Sequence, residues 1–310
     1  MRKLIPIFIL TAAIALLSGC FRTNTVTEST TTDVSSEITT TVSETTTLSE
    51  TTTVSETPET TAKSTAKYAY GVFLSVEKNL ERLGDYETVV IDAQHFSKEE
   101  IEAFKTKGHR ILSYINIGSL ENFRSYYNDY KGLKLGKYEH WEEEIWINVA
   151  DPKWQEFIIG KMIPELAGKG IDGFFVDNCD VYYHFPTSDI QNGLTNMMKS
   201  MVATGKTVLI NGGDTYLDAY CKSGGSWNDV ITGINQETVF SKIIWNKNKF
   251  GIADSDDHKY FVNYIERYAN QGAEIYLLEY TKDKKLIKKI EDYCKTKGFG
   301  YYVSDSVELD

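Results

Sequence analysis

Eight short apolar runs, each bounded by turn residues, punctuate the 244 residues from Lys67 to Asp310. They are YGVFLS from Tyr70, TVVIDA from Thr88, RILSYIN from Arg110, GFFVD from Gly173, TVLIN from Thr207, ITGINQE from Ile231, IYLLEY from Ile275 and GYYVS from Gly300. Their length and their content of Val, Ile, Tyr and Phe read as strands. Most are separated by segments with helical periodicity, such as SKEEIEAFKTKG after the second run, DPKWQEFIIGKMIPELAGKG before the fourth and KKLIKKIEDYCKTKG before the eighth. Several of these end in Lys-Gly just ahead of the next strand, which suits a helix closed by a left-handed glycine. Apolar strands joined through helices imply a parallel sheet buried on both faces, either open or closed. An open sheet carrying a dinucleotide needs a Gly-rich turn after its first strand, and FLSVEKNL has none. The expectation is an α/β fold of the closed kind, a (β/α)8 TIM barrel, whose usual ~250 residues match this segment.

In such a barrel the C-terminal strand ends share one mouth, where active sites gather. Asp92 ends the second run, Tyr114 and Asn116 the third, Asp177 and Asn178 the fourth, Asn211 the fifth, Glu237 the sixth, and Glu279 with Tyr280 the seventh. A single acidic strand end is ordinary turn chemistry; polar endings on most strands point to a site. Strands four and six flank one strand, which makes Asp177 and Glu237 a candidate carboxylate pair. Glycoside hydrolysis needs such a pair, one group to protonate the leaving oxygen and the other to attack the anomeric carbon or activate water. Asp177, with Asn178 and Asn211 as donors, suits an ionised nucleophile, and Glu237, followed by Thr238, Val239 and Phe240, suits a protonated acid. Trp146, Tyr182, Tyr183 and Tyr280 are candidate sugar platforms. Asp180 either holds a hydroxyl or amine of the sugar or caps the next helix.

Other chemistries lack their signatures. His95, His109, His140, His184 and His258 show no HxH or HExxH spacing, so no metal site is expected, and no GxSxG supplies a Ser nucleophile. No cofactor is expected. Cys179, Cys221 and Cys294 have neither metal-ligand spacing nor an even count, so no disulfide framework is expected either. The chain carries 33 basic and 44 acidic residues, of which four and seven fall before Lys67, so the barrel segment holds a net charge of about −8. Such a surface disfavours nucleic acid. It keeps the protein soluble or draws in a cationic substrate.

The N-terminus sets the compartment. MRKLIPIFILTAAIALLSGC has two cations, an apolar run from Leu4 to Leu17 and then Ser-Gly-Cys, which reads as a lipoprotein signal peptide over residues 1–19 with Cys20 as the lipidated first residue of the mature chain. Residues 20–66 are mostly Ser and Thr, with TTTVSE, TTTLSE and TTTVSE in succession from Thr39 to Glu56, a composition that buries too little to fold. The expected organisation is leader 1–19, lipidated Cys20 and disordered linker 20–66, and barrel 67–310. The barrel would then sit outside the cytoplasm as a monomer, tethered to the membrane through its lipid.

YINIGSLENFR, EEEIWINVADPKW, GIDGFFVDNCDVY and the terminal GFGYYVSDSVELD are together similar to the motifs of glycoside hydrolase family 114, with coverage from Tyr70 to Asp310. The matching positions in the first are Tyr114, Gly118, Ser119, Glu121 and Arg124, and the third contains the DNxD motif. The resemblance implies an endo-α-1,4-polygalactosaminidase-like barrel with Asp177 and Glu237 as its catalytic pair, acting on a polysaccharide of cationic amino sugars. Asp92, Tyr114, Asn116, Trp146, Asn178, Asp180, Asn211, Glu279 and Tyr280 are the expected substrate contacts. A carbohydrate-binding lipoprotein that has lost turnover is the alternative. The long connection from Gly118 to Trp146 is expected to be a lid or subsite wall.

Overall fold

The computed structural model describes residues 66–310. The leader, Cys20 and the linker up to residue 65 lie outside the described residues. All eight expected strands form: β1 (Tyr68–Phe73), β2 (Tyr86–Ile91), β3 (Arg110–Asn116), β4 (Gly173–Asp177), β5 (Thr207–Asn211), β6 (Gly233–Glu237), β7 (Glu274–Tyr280) and β8 (Gly300–Ser304). They pair in parallel in chain order from β1 to β8. The last strand returns to the first, with the rings of Phe73 and Tyr302 5.2 Å apart and the Ser75 amide donating to the Leu309 carbonyl at 3.2 Å. The sheet is thereby all but closed into the (β/α)8 barrel.

Period-two alternation divides each strand between two cores. Tyr70, Val72, Val90, Leu112, Phe175, Leu209 and Leu278 point inward and plug the barrel. Their neighbours, among them Val89, Ile111, Phe174, Ile210 and Leu277, point outward under the helices. Asp92, Asn116, Asp177, Asn211, Glu237 and Tyr280 continue the inward register into the last layer, so side chains far apart in sequence meet above the plug.

The connecting helices follow the local chemistry. Lys98–Lys105 starts with a capping box between Ser97 and Glu100. Lys284–Lys297 stops at Gly298, whose φ of 72° supplies the left-handed cap. The segment from Pro152 to Gly168, read from sequence as one helix, contains a π turn at Ile158–Met162. Pro164 has no amide to return to the preceding turn, and the irregularity absorbs that loss.

Two insertions rise from the C-terminal end. After β3 the chain builds a three-stranded antiparallel sheet from Ser119–Glu121, Lys134–Lys137 and Glu144–Ile147. The connection expected to be a lid or subsite wall is an ordered sheet, and SLE and EIWI have the alternation that makes it one. Leu120, Ile145 and Ile147 pack into the hydrophobic core, while Ser119, Glu121, Glu144 and Trp146 share the opposite face. After β6 a hairpin forms from Ser241–Ile244 and Lys249–Ile252.

Candidate active site

Asp177 and Glu237 end β4 and β6, on either side of β5, and both are half-buried. Asn211 at the end of β5 joins them: its Nδ2 donates to Asp177 Oδ1 at 3.0 Å and to Glu237 Oε1 at 2.8 Å. The Asn211 amide is oriented from below. Asn235 Nδ2 donates to Asn211 Oδ1 at 2.7 Å, and Tyr70 Oη donates to Asn235 Oδ1 at 3.1 Å. This chain of hydrogen bonds runs up from the barrel plug and leaves the Asn211 amino group only one direction in which to donate, toward the carboxylates. Tyr70 and Asn235 were not singled out from the sequence, because their value lies in register across β1, β5 and β6.

The two acids differ in their surroundings. Burial raises the pKa of Asp177, and the Asn211 amide, the Asn178 backbone N–H and the Tyr114 hydroxyl pull it back down, with Glu121 opposing them. Burial also raises Glu237; Asn211 lowers it, the charge of Asp177 raises it again, and Tyr280 lowers it, donating its hydroxyl to Oε2 at 2.8 Å. Two carboxyl groups this close do not both ionise readily, and the one with more donors keeps the charge. Three donors lower Asp177 and two lower Glu237.

The wall behind Asp177 is polar and tightly bonded. Tyr114 Oη donates to Glu121 Oε1 at 3.2 Å, Arg124 donates to the same oxygen at 2.9 Å and to Asp92 Oδ2 at 2.5 Å, and all three ionised side chains are almost fully buried. Asp92 thus serves an internal ion pair, and its other oxygen caps the turn at Ala93–His95 by accepting from Gln94 N–H. Asn116 is committed to Ser119, through both its amide nitrogen and its oxygen. Glu144 accepts from Ser119 Oγ at 2.5 Å, and burial, followed by the charge of Glu121, pushes it up to about 8. Ser119, Tyr138 and Glu144 fall within the connection expected to be a lid or subsite wall but were not named among the site residues. The alternation in EIWI was the available signal for Glu144.

Asn178 adopts φ 65°, accepts from Tyr138 Oη at 2.8 Å and donates to Ser119 Oγ at 3.1 Å. Gly118 permits this approach, since a Cβ there would lie 1.7 Å from the Asn178 carbonyl oxygen. Trp146 is 4% exposed, its ring stacked 4.4 Å from Tyr138 and tilted 4.6 Å from His184, so it walls the site more than it offers a platform. Tyr183 is exposed, and Tyr182 contacts Tyr216 edge-on at 6.5 Å. Asp180 makes no helix-capping bond. It turns toward Gly212 and Gly213, and burial, Asp214 and Asp177 push it up to about 7. Glu279 does not reach the mouth: it faces outward from β7, and its carboxylate is taken up by residues 240–241.

The two insertions meet above. The His140 ring stacks on Trp245 at 4.7 Å, Trp141 meets Trp245 edge-on at 5.9 Å, and Phe250 lies 5.8 Å from Tyr280. Among the described residues no group of three or more His, Cys, Asp or Glu side chains is arranged to hold a metal ion.

A parallel eight-stranded barrel with two acids held face to face at its C-terminal mouth has the architecture of a glycoside hydrolase. The chain belongs to glycoside-hydrolase family GH114, whose sequence profile matches residues 49–308, and it is a glycosidase by that membership. An uncharacterized protein of Methanocaldococcus jannaschii is 25% identical over 252 residues, covering 73% of this chain and 70% of that one. The fold is similar to that of the glycoside hydrolase domain of PelA from Pseudomonas aeruginosa, with a TM-score of 0.64 and 17% identity over 78% of this chain and 96% of that one. It is also similar to Aspergillus fumigatus Ega3, solved in complex with galactosamine, with a TM-score of 0.60 and 14% identity over 82% and 96% of the two chains.

Proposed function

We propose that this protein is a retaining endo-glycosidase acting on α-linked, galactosamine-containing polysaccharide, with Asp177 as nucleophile and Glu237 as acid and base. The observation that carries the reading is the shared Asn211 nitrogen. Legs of 3.0 and 2.8 Å from one atom keep the two carboxylate oxygens less than about 6 Å apart, nearer the ~5–5.5 Å of retaining enzymes than the ~6.5–9.5 Å that leaves room for water in inverting ones.

Glu237 would protonate the glycosidic oxygen as Asp177 attacks the anomeric carbon from the opposite face, breaking the glycosidic bond and forming a glycosyl ester. Glu237, now ionised, would then take a proton from water, whose oxygen attacks the same carbon and releases Asp177. Each attack inverts the centre, so the α configuration returns. Asn211 donates to both acids throughout, and the Asn178 backbone N–H adds to it in favouring the charged form of Asp177. Support for an amino-sugar substrate comes from the galactosamine bound to Ega3 and from the acids around the pair, Glu144, Asp180 and Asp214, beside which an ammonium group would be favoured. Asn178, Tyr114 and Asp180 are proposed substrate contacts. The lipidated Cys20 and the Ser/Thr-rich linker would hold the barrel outside the cytoplasm.

Reducing-end release from deacetylated and acetylated galactosaminans by wild type, Asp177→Asn and Glu237→Gln tests this. Release by wild type and none by either folded variant is expected; turnover persisting in one of them removes that residue from the chemistry.

A further inference from the structure

Glu279 is fully buried, yet the chemistry above makes no use of it. A carboxylate withdrawn from water is costly unless donors surround it. Here the donors come from one short segment, the one that follows Glu237. The Phe240 amide donates to Oε1 at 2.9 Å, the Ser241 amide to Oε2 at 2.8 Å and the Ser241 hydroxyl to Oε2 at 2.5 Å. Ser241 Oγ also accepts from the Tyr280 amide at 2.9 Å, while the Tyr280 hydroxyl holds Glu237 directly. On the other side of the segment the His258 ring bonds the Val239 carbonyl at 2.8 Å.

What this clamp restrains lies between it and the acid. Thr238, next to Glu237, has φ 55°. A β-branched side chain is strained in the left-handed region and stays there only when its surroundings enforce it. Released, Thr238 would relax toward ordinary backbone angles and turn the Glu237 carboxyl away from Asn211 and Tyr280. We infer that Glu279 is a positioning residue: by gathering the amides of residues 240–241 it locks Thr238 in the left-handed conformation and so aims the carboxyl of Glu237 at the leaving oxygen. This rests on Glu237 being the acid.

Glu279→Gln keeps the shape but turns an amide NH2 toward donors. Turnover of galactosaminan by this variant is expected to fall ~10-fold or more with KM unchanged. Pre-steady-state release of nitrophenolate from a nitrophenyl α-galactosaminide, a leaving group that needs no proton, should be spared. Adding Thr238→Gly, which takes a positive φ without strain, should restore much of the lost turnover. Ser241→Ala, a milder cut in the same clamp, should show the same split at smaller size. Equal losses on both substrates, wild-type kinetics in both Glu279→Gln and Ser241→Ala, or no recovery from Thr238→Gly would overturn the inference. Glu237→Gln run alongside separates the two claims: if it is inactive on galactosaminan while the clamp variants are normal, only the positioning role falls, and if it is active, the assignment of the acid falls.

Discussion

Asp177 and Glu237 share one hydrogen-bond donor yet stand against very different flanks. Behind Asp177 lies a dense polar wall in which Tyr114, Glu121, Arg124 and Asp92 pair with one another and Asn178 and Ser119 continue the network. Behind Glu237 the direct side-chain contacts are two, Asn211 and the Tyr280 hydroxyl, and the Tyr280 ring lies 5.8 Å from Phe250. The roles proposed for the two acids rest on this contrast. Under the proposed roles, the Asn211 and Asn178 donors favour charge on Asp177, and burial beside that charge favours a proton on Glu237.

Removing either acid should have the largest effect. Asp177→Asn and Glu237→Gln are expected to lower galactosaminan turnover by at least ~10²–10⁴-fold, the contribution of a positioned acid or base, measured by reducing-end release. Next comes the polar flank itself. Arg124→Met would leave Asp92 and Glu121 buried without their counter-ion, and denaturant unfolding should show a loss of about 3–5 kcal/mol; a near-neutral result would mean that the wall does not depend on that cation.

Asn211→Ala removes the donor that both acids share, worth about 1.5–3 kcal/mol to a charged acceptor, so turnover should fall roughly 10- to 100-fold. Both pKa values should also rise, moving the acid limb of the pH–rate profile to higher pH. An unmoved limb would break the electrostatic contrast.

Stability should decline as pH rises, the reverse of ordinary acid denaturation. Glu144 at about 8, with Asp180 and Glu279 at about 7, bind protons more tightly folded than unfolded, so stability they contribute below the unfolded carboxylate range is lost as pH climbs through their folded values. Thermal midpoints at pH 5 and pH 8 measure this, and Glu144→Gln should flatten the slope. The smallest effect is expected from Trp245→Ala, which severs the ring contacts joining the two insertions, each worth about 0.5–1.5 kcal/mol; KM for the polymer should rise modestly while nitrophenyl galactosaminide hydrolysis stays unchanged.

The strands and their order were legible because burial on both faces leaves an unbroken apolar signature, and the rule that strand ends gather at one mouth led to Asp177, Asn211, Glu237 and Tyr280. That rule failed at Glu279 for a reason the sequence also contained. Consecutive strand residues face opposite ways, so Glu279 and Tyr280 cannot both reach the mouth, and Tyr280 shares the inward register of Leu278. Asp92 was legible as polar but not as paired, since its partner Arg124 arrives only when the insertion folds back. Asn235 gave no local signal; its role comes from register with Asn211 on the neighbouring strand.

The spacing of the acids is the centre of the account, and the stereochemistry of the product reports it most directly. Proton NMR of galactosaminan hydrolysis, read before mutarotation, should show the α anomer as the first-formed reducing end. A β anomer appearing first would mean that water, not Asp177, attacks the sugar, and that the shared Asn211 does not hold the pair at retaining distance.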